Sequence, residues 1–137
     1  MFTTLDTLMA AQLPQMELYC EIGRVVSGRT EKGAAVAASE YLQAAYPTAE
    51  GFSPRNVRRM RAFYAAYEES PEIIRLAMNL GWTRNVAILE ECGSSEERAW
   101  YIRAVLRFGW KKAKLLAAIE SQAWLYSSLE VFYLLFP

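Results

Sequence analysis

The chain has 137 residues, with 15 acidic and 15 basic side chains, so any affinity for an anionic polymer must come from local clustering of charge. Its apolar fraction of 53% excludes a disordered chain, and its length allows a buried core without a disulfide or structural metal. Histidine is absent, which excludes His-based general bases, nucleophile triads and His-bearing metal sites.

The predicted elements are helices throughout, because apolar residues recur at helical spacing between glycine and proline breaks. The pattern predicts a compact all-α bundle. The predicted helices, in chain order, are a short one before Pro14 and others over about 15–27, 34–46, 53–67, 71–80, 84–91, 95–108 and 111–120. Thr83 is the expected cap of the sixth. By sequence, the chain divides into an N-terminal segment (1–14), a helical domain (15–120) and an apolar tail (121–137).

The fourth predicted helix has two contrasting faces. Ser53 suits the N-cap and Pro54 the first helical position. One side collects apolar residues, namely Val57, Met60, Phe63, Tyr64 and Tyr67. The other side collects the basic residues Arg55, Arg58, Arg59 and Arg61, with alanines among them. Because no carboxylate interrupts the run from Gly51 to Tyr67, this face is suited to a phosphate backbone, although a solvated face is the simpler alternative.

The order of a helix, a turn with glycine and a second helix with a basic face has the outline of a helix-turn-helix. The connector around Pro47 and Gly51 is longer than the tight turn of that motif. The match is therefore to a helix-turn-helix-like tri-helical unit in general, with the arginine-rich helix as the element that approaches duplex DNA.

The predicted DNA-binding residues fall into a primary and a secondary set. Four arginines of the fourth helix would contact phosphates, and Asn56 or an arginine could reach base edges. Secondary candidates are Arg84, Lys111 and Lys112, which stand near the starts of other helices. With about three or four phosphates neutralised, log affinity should fall with log salt at a slope near −3.

Catalysis by this chain alone is not expected, and neither a metal nor a cofactor is predicted. The glutamate pairs 68/69, 90/91 and 96/97 are adjacent in sequence, so they diverge by about 100° on a helix and do not converge on one ion. Cys20 and Cys92 lie in apolar helical patterns and are predicted to be buried thiols of a reducing compartment. Since neither a leader nor a run of about 18 apolar residues is found, we expect a cytoplasmic protein without a membrane span.

The C-terminal residues 123–137 are too apolar for a free terminus and too short for a span. We expect them to fold back into the core or to bury themselves in a partner, as a homodimer contact or a contact with a nuclease subunit. This leaves open a second function, a protein-interaction or oligomerisation module that does not bind nucleic acid and whose arginine-rich helix meets an acidic partner.

Four segments carry a family resemblance. Residues 18–24 (LYCEIGR) resemble LYWEIG(R/K), and residues 51–64 (GFSPRNVRRMRAFY) resemble GFSxRNLxxMRxFY. Residues 82–89 (WTRNVAIL) resemble WxHNxxLL, while 97–101 (ERAWY) with Gly109-Trp110 resemble ERxWYxxxxxxxGWSRxxL. In this order they resemble the N-terminal domain of the YhcG-like family of PD-(D/E)xK nucleases, a domain of unknown function.

The resemblance implies an all-helical, helix-turn-helix-like DNA-binding region that precedes a nuclease domain. This chain has Cys20 where the family usually has tryptophan, and Arg84 where histidine is common. An apolar tail stands where the nuclease half would follow position 120, so the implied role is targeting or partner binding, and cleavage is not expected.

Overall fold

A computed structural model describes residues 1–126 of the chain. The described residues form eight α-helices and no strand, which confirms the predicted all-helical class. In chain order the helices are α1 (Phe2–Ala10), α2 (Gln15–Ser27), α3 (Ala34–Ala45), α4 (Pro54–Tyr67), α5 (Pro71–Ala77), α6 (Trp82–Glu91), α7 (Ser95–Phe108) and α8 (Lys112–Glu120). A short 3₁₀ turn, Ala123–Leu125, follows α8.

The chain divides between Ile74 and Arg75 into two compact units. In the first unit, α2 packs against α4 over its largest interface, and α3 contacts both of them. These three helices form the predicted tri-helical unit, and α1 covers part of α2 and α3. The predicted boundaries at 14/15 and 120/121 stay a prediction from sequence.

The core of the first unit is built from apolar side chains of α1, α2, α3 and α4. Its fully buried large side chains are Leu5, Ile22, Val26, Leu42, Met60 and Phe63. Each apolar side chain of this size that leaves water contributes about 1.5–3 kcal/mol, so these residues supply the main force that assembles the helices.

In the second unit, α6, α7 and α8 pack on one another around Leu80, Ile88, Tyr101, Ile102 and Leu115. The Ser94 hydroxyl accepts a hydrogen bond from the Glu97 backbone N–H at 3.1 Å, which is the predicted cap of α7. The expected Thr83 cap of α6 is wrong, because the helix already begins at Trp82 and Gly81 is its N-cap, with a φ of 78°. Glycine reaches that φ without steric cost, so the break lies before the tryptophan and not after it.

Candidate functional site

The loop that leads into α4 is held in one conformation. Gly51 has a φ of 92°, and a Cβ at this position would lie 2.2 Å from the Tyr19 hydroxyl oxygen. Phe52 is buried and its ring meets the Tyr19 ring edge-on, with centroids 6.3 Å apart. Only glycine fits at position 51, and Phe52 inserts a large apolar side chain beside α2.

Hydrogen bonds from two helices complete this attachment. The Phe52 carbonyl accepts from the Ser39 hydroxyl at 2.6 Å and from the Gln43 amide nitrogen at 2.9 Å, both on α3. The Asn56 side-chain nitrogen donates to the Gly51 carbonyl at 2.7 Å. The start of α4 is therefore tied to α3 and to its own preceding loop.

The N-terminus of α4 has the predicted cap. The Ser53 hydroxyl accepts from the Asn56 backbone N–H at 3.1 Å, and Pro54 occupies the first helical position. Asn56 was predicted as a possible reader of base edges, and the structure gives its amide nitrogen a partner within the loop. Its first role is to hold the beginning of the helix.

The two faces of α4 separate as predicted. Val57, Met60, Phe63 and Tyr67 are buried, and Tyr64 is half-buried. Arg55 and Arg58 are exposed, whereas Arg59 and Arg61 are half-buried at the two edges of the outer face. At about 100° per residue, the four arginines cover an arc of roughly 160°. We call this outer side, with its four arginines, the arginine face of α4.

The charges along α4 oppose the helix dipole. Its first turn carries Arg55 and no acidic residue, and Glu68 and Glu69 follow its last turn. An aligned helix places about half a positive charge at its N-terminus, so cations there raise an already positive potential. The N-terminal half of the arginine face is therefore a favourable place for an anion.

Three arginines of α4 make no recorded ion pair with acids of the described chain. Within residues 1–126, ion pairs join Arg24 to Glu21 at 2.8 Å and Arg29 to Glu31, and none is recorded for Arg55, Arg58 or Arg61. The lack of acidic residues in the sequence around α4 is therefore matched, among the described residues, by a lack of ion pairs at Arg55, Arg58 and Arg61.

The secondary candidates lie in the second unit and differ in their surroundings. The Arg84 guanidinium donates from Nε to the Leu80 carbonyl at 2.7 Å and from an Nη to the Trp110 carbonyl at 2.9 Å. Arg84 therefore joins the start of α6 to the segment before α8, a contact between distant residues that the sequence pattern did not reveal. Lys111 and Lys112 are exposed at the start of α8.

Sequence reasoning missed two exposed arginines near these lysines. Arg103 and Arg107 stand four residues apart on α7, on its exposed side. The signal was present in the sequence, since the stretch 98–119 contains six basic residues and no acidic one.

The thiols behave as buried apolar groups. Cys20 and Cys92 are both buried and free of a disulfide, as predicted. Burial is the largest of the effects that raise the pKa of Cys20 to about 11 and the pKa of Cys92 to about 12. In the described part of the chain, no cluster of three acidic or thiol side chains is placed to hold a metal ion. In the same residues, no helix is both long enough and apolar enough to cross a membrane.

The described part of the C-terminal tail is docked at one end and exposed at the other. Ala123 is fully buried, and the Trp124 backbone N–H donates to the Tyr101 hydroxyl at 3.3 Å. Leu125 and Tyr126 are 59% and 44% exposed. The rest of the predicted partner-binding tail, residues 127–137, lies outside the described residues.

A comparison with protein families places these features in context. The family model described as the DUF1016 N-terminal domain matches residues 5–126. No curated protein and no solved structure gives a significant match to the chain. The matched range contains the arginine face of α4, the loop that holds it, and all the secondary candidates.

Proposed function

Because the chain belongs to the family of the DUF1016 N-terminal domain, we propose that it acts as a non-catalytic, helix-turn-helix-like DNA-binding module of a nuclease-associated family. The observation that supports this proposal is the exposed pair Arg55 and Arg58, which have no recorded ion pair among residues 1–126. These two side chains stand one turn apart at the positive end of α4.

The arginine face suits a phosphate backbone for chemical reasons. A guanidinium stays charged at all physiological pH values and can bind two phosphate oxygens with parallel hydrogen bonds. Ala62 and Ala65 are exposed between the arginines, and their small side chains allow the helix backbone to come close to a polymer surface. Contacts of this kind fix position and affinity without reading sequence.

The loop before α4 explains how such a face would be kept in place. Binding that orders a mobile element costs conformational entropy, and a helix already fixed by its neighbours avoids that cost. The Ser39, Gln43 and Asn56 hydrogen bonds hold the first turn of α4 before any ligand arrives. The family motif around residues 51–56 then acts as a support for the arginines that follow it.

The experiment is a titration of duplex DNA with the full chain at several salt concentrations. Arg55→Gln/Arg58→Gln should weaken binding about 10-fold at moderate salt and reduce the salt slope by about 2, since each lost phosphate contact removes about 0.9 from the slope. The matched control is Arg24→Gln/Arg75→Gln, which removes the same formal charge from two exposed arginines that are not on α4. Equal binding by the two double variants, or no binding by the wild-type chain, would contradict the proposal.

A second candidate function is self-association through the end of the described chain. Leu125 and Tyr126 are exposed apolar side chains next to the docked Ala123. Exposed apolar clusters often mark interfaces. Light scattering of the full chain should show a dimer that Leu125→Ser/Tyr126→Ser weakens, and a wild-type monomer at high concentration would exclude this candidate.

A further inference from the structure

The second unit carries its own concentration of exposed positive charge. It consists of the exposed residues Arg103 and Arg107 of α7 and Lys111 and Lys112 at the start of α8, which we call the α7–α8 basic surface. The sequence supplies these four cations within a stretch, 98–119, that contains no acidic residue.

Spacing brings the members of this surface together in two pairs. Arg103 and Arg107 are separated by one helical turn, which places their Cβ atoms about 5–6 Å apart. Gly109, with a φ of 66°, ends α7, and Lys111 and Lys112 begin α8 directly after Trp110. This connection is fixed because Trp110 is buried and its ring stacks on Phe108 at a centroid distance of 5.4 Å.

This arrangement costs stability within the protein. Like charges four residues apart on a helix repel each other, and lysines at a helix N-terminus oppose its dipole. Arg107, in the last turn of α7, is favourable to the dipole of that helix, so the cost falls on the repulsion between the arginines and on the two lysines. Among residues 1–126, no ion pair is recorded for any of the four cations of the α7–α8 basic surface. No ion pair within the described residues therefore reduces the repulsion, and a bound polyanion would reduce it.

The composition of the surface favours a nucleic acid over an acidic protein. Protein–protein interfaces are enriched in aromatic residues and depleted in lysine at their centre. On α7 and at the start of α8 the cations outnumber the exposed large apolar side chains, which are Leu106 and, further along α8, Leu116. Trp110 is buried, and the half-buried Phe108 ring lies 5.9 Å from the Arg107 guanidinium carbon. Repeated cations without an exposed aromatic anchor suit a backbone of repeated phosphates.

We propose that the α7–α8 basic surface is a second phosphate-contacting surface for nucleic acid, separate from the arginine face of α4. It rests on the proposed DNA-binding function and extends it, because contacts from two units increase the number of phosphates neutralised. With three or four contacts from α4 and up to four from the α7–α8 basic surface, the wild-type salt slope should be near −6 instead of near −3.

The test measures duplex DNA binding by the full chain at four or more salt concentrations. The variant Arg103→Gln/Arg107→Gln/Lys111→Gln/Lys112→Gln should reduce the slope by about 3 to 4 and weaken binding at least about 10-fold at moderate salt. The matched control removes four exposed charges elsewhere, as Arg24→Gln/Arg29→Gln/Lys32→Gln/Arg75→Gln, and should leave the slope within about 1 of wild type. Far-ultraviolet circular dichroism and tryptophan emission of each variant confirm that both units are folded.

The outcomes separate this proposal from the one on which it rests. Wild-type binding with a slope that the α7–α8 variant leaves unchanged overturns the second surface and spares the arginine face of α4. If Arg55→Gln/Arg58→Gln leaves DNA binding unchanged and the α7–α8 variant abolishes it, the role of the arginine face is overturned and the second surface is supported. A wild-type chain that does not bind duplex DNA overturns both.

Discussion

Gly23 of α2 lies directly against the backbone of Met60 of α4. A Cβ built at Gly23 would stand 2.1 Å from the Met60 carbonyl oxygen and 3.1 Å from the Tyr64 Cβ. The two helices cross so closely that only a hydrogen atom fits between them at this point. The glycine of the LYCEIGR segment is therefore explained by the largest helix interface of the first unit.

Gly23→Ala should destabilise the protein even though alanine is the better helix former. The intrinsic preference of alanine gains about 1 kcal/mol, and the clash with a backbone atom costs about 3 kcal/mol. We expect a net loss of about 2 kcal/mol in the free energy of unfolding, from the difference of these two terms. Urea unfolding should be followed by far-ultraviolet circular dichroism, because all four tryptophans lie after residue 81 and do not report on the first unit.

Gly28→Ala, at the C-cap of the same helix, is the control. Gly28 has a φ of −71°, and a Cβ there would meet its nearest atom, the Val25 carbonyl oxygen, at 3.5 Å. Its unfolding free energy should stay the same or rise by up to about 1 kcal/mol, because alanine restricts the unfolded chain. If both variants behave alike, the close crossing of α2 and α4 is not the reason for the glycine.

Asp6 should make the docking of α1 sensitive to acid. Its carboxylate accepts two hydrogen bonds, each 2.6 Å long. One comes from the hydroxyl of Tyr41, which lies on α3, and the other from the hydroxyl of Tyr46, which is the C-cap of α3. The hydrogen bond from Tyr41, followed by that from Tyr46, lowers the pKa of Asp6 below its ordinary value. A lowered folded-state pKa adds stability above the unfolded pKa of about 3.9, and this stability is lost as pH falls through the folded-state value.

The measurement compares wild type with Asp6→Asn across the acid range. Wild type should lose stability below about pH 4, whereas the variant should be less stable at neutral pH and lack this part of the acid transition. At alkaline pH the stability of wild type should instead fall as pH rises, because the hydrogen bond to Asp6 raises the pKa of Tyr46 to about 12. That contribution is complete below about pH 10 and is lost as pH rises through the folded-state value. Parallel curves for the two proteins would exclude the carboxylate as the sensor.

Asn85→Leu should destabilise the second unit. Asn85 is fully buried, and its side-chain nitrogen donates to the Ala77 carbonyl and the Gly81 carbonyl at 2.8 Å each. Loss of these bonds and crowding by the branched side chain should lower the unfolding free energy by about 1–3 kcal/mol. Tryptophan emission during urea unfolding measures this, and Asn79→Leu at an exposed site is the control. An equal effect of the two changes would show that the buried amide is not required.

The two thiols should report on the two units separately. Cys20 belongs to the first unit and Cys92 to the second, and burial keeps both thiols protonated at neutral pH. Alkylation of the native protein at pH 8 should be slow at both, since the thiolate is the reactive form. Mass spectrometry of samples labelled at increasing urea should show each thiol becoming reactive as its own unit opens. Rapid labelling of either thiol without urea would contradict its burial.

Local signals predicted the helices, because a cap, a glycine or a proline acts on its own neighbours. Ser53-Pro54 and Ser94 marked helix starts correctly, and the apolar side of α4 was identified from spacing alone. Long-range contacts were not predictable in this way. The bonds from Asp6 to Tyr41 and Tyr46, and the bond from Arg84 to the Trp110 carbonyl, join residues far apart in the chain, and no local pattern encodes them.

The candidate site shows the same division. Periodicity predicted that the arginines of α4 would share an outward side, and they do. It could not predict that the Asn56 amide would be used within the loop, because this depends on where the Gly51 carbonyl lies after folding. Arg103 and Arg107 were missed because the stretch 98–119 was interpreted mainly for its apolar residues.

The salt dependence of duplex DNA binding, measured side by side for wild type and Arg55→Gln/Arg58→Gln, tests most directly whether α4 contacts phosphates. We expect binding by the wild-type chain and a slope of log affinity against log salt that is about 2 less steep in the variant. Binding that is absent, or a slope that is the same in both proteins, would contradict the claim that α4 presents its arginines to a phosphate backbone.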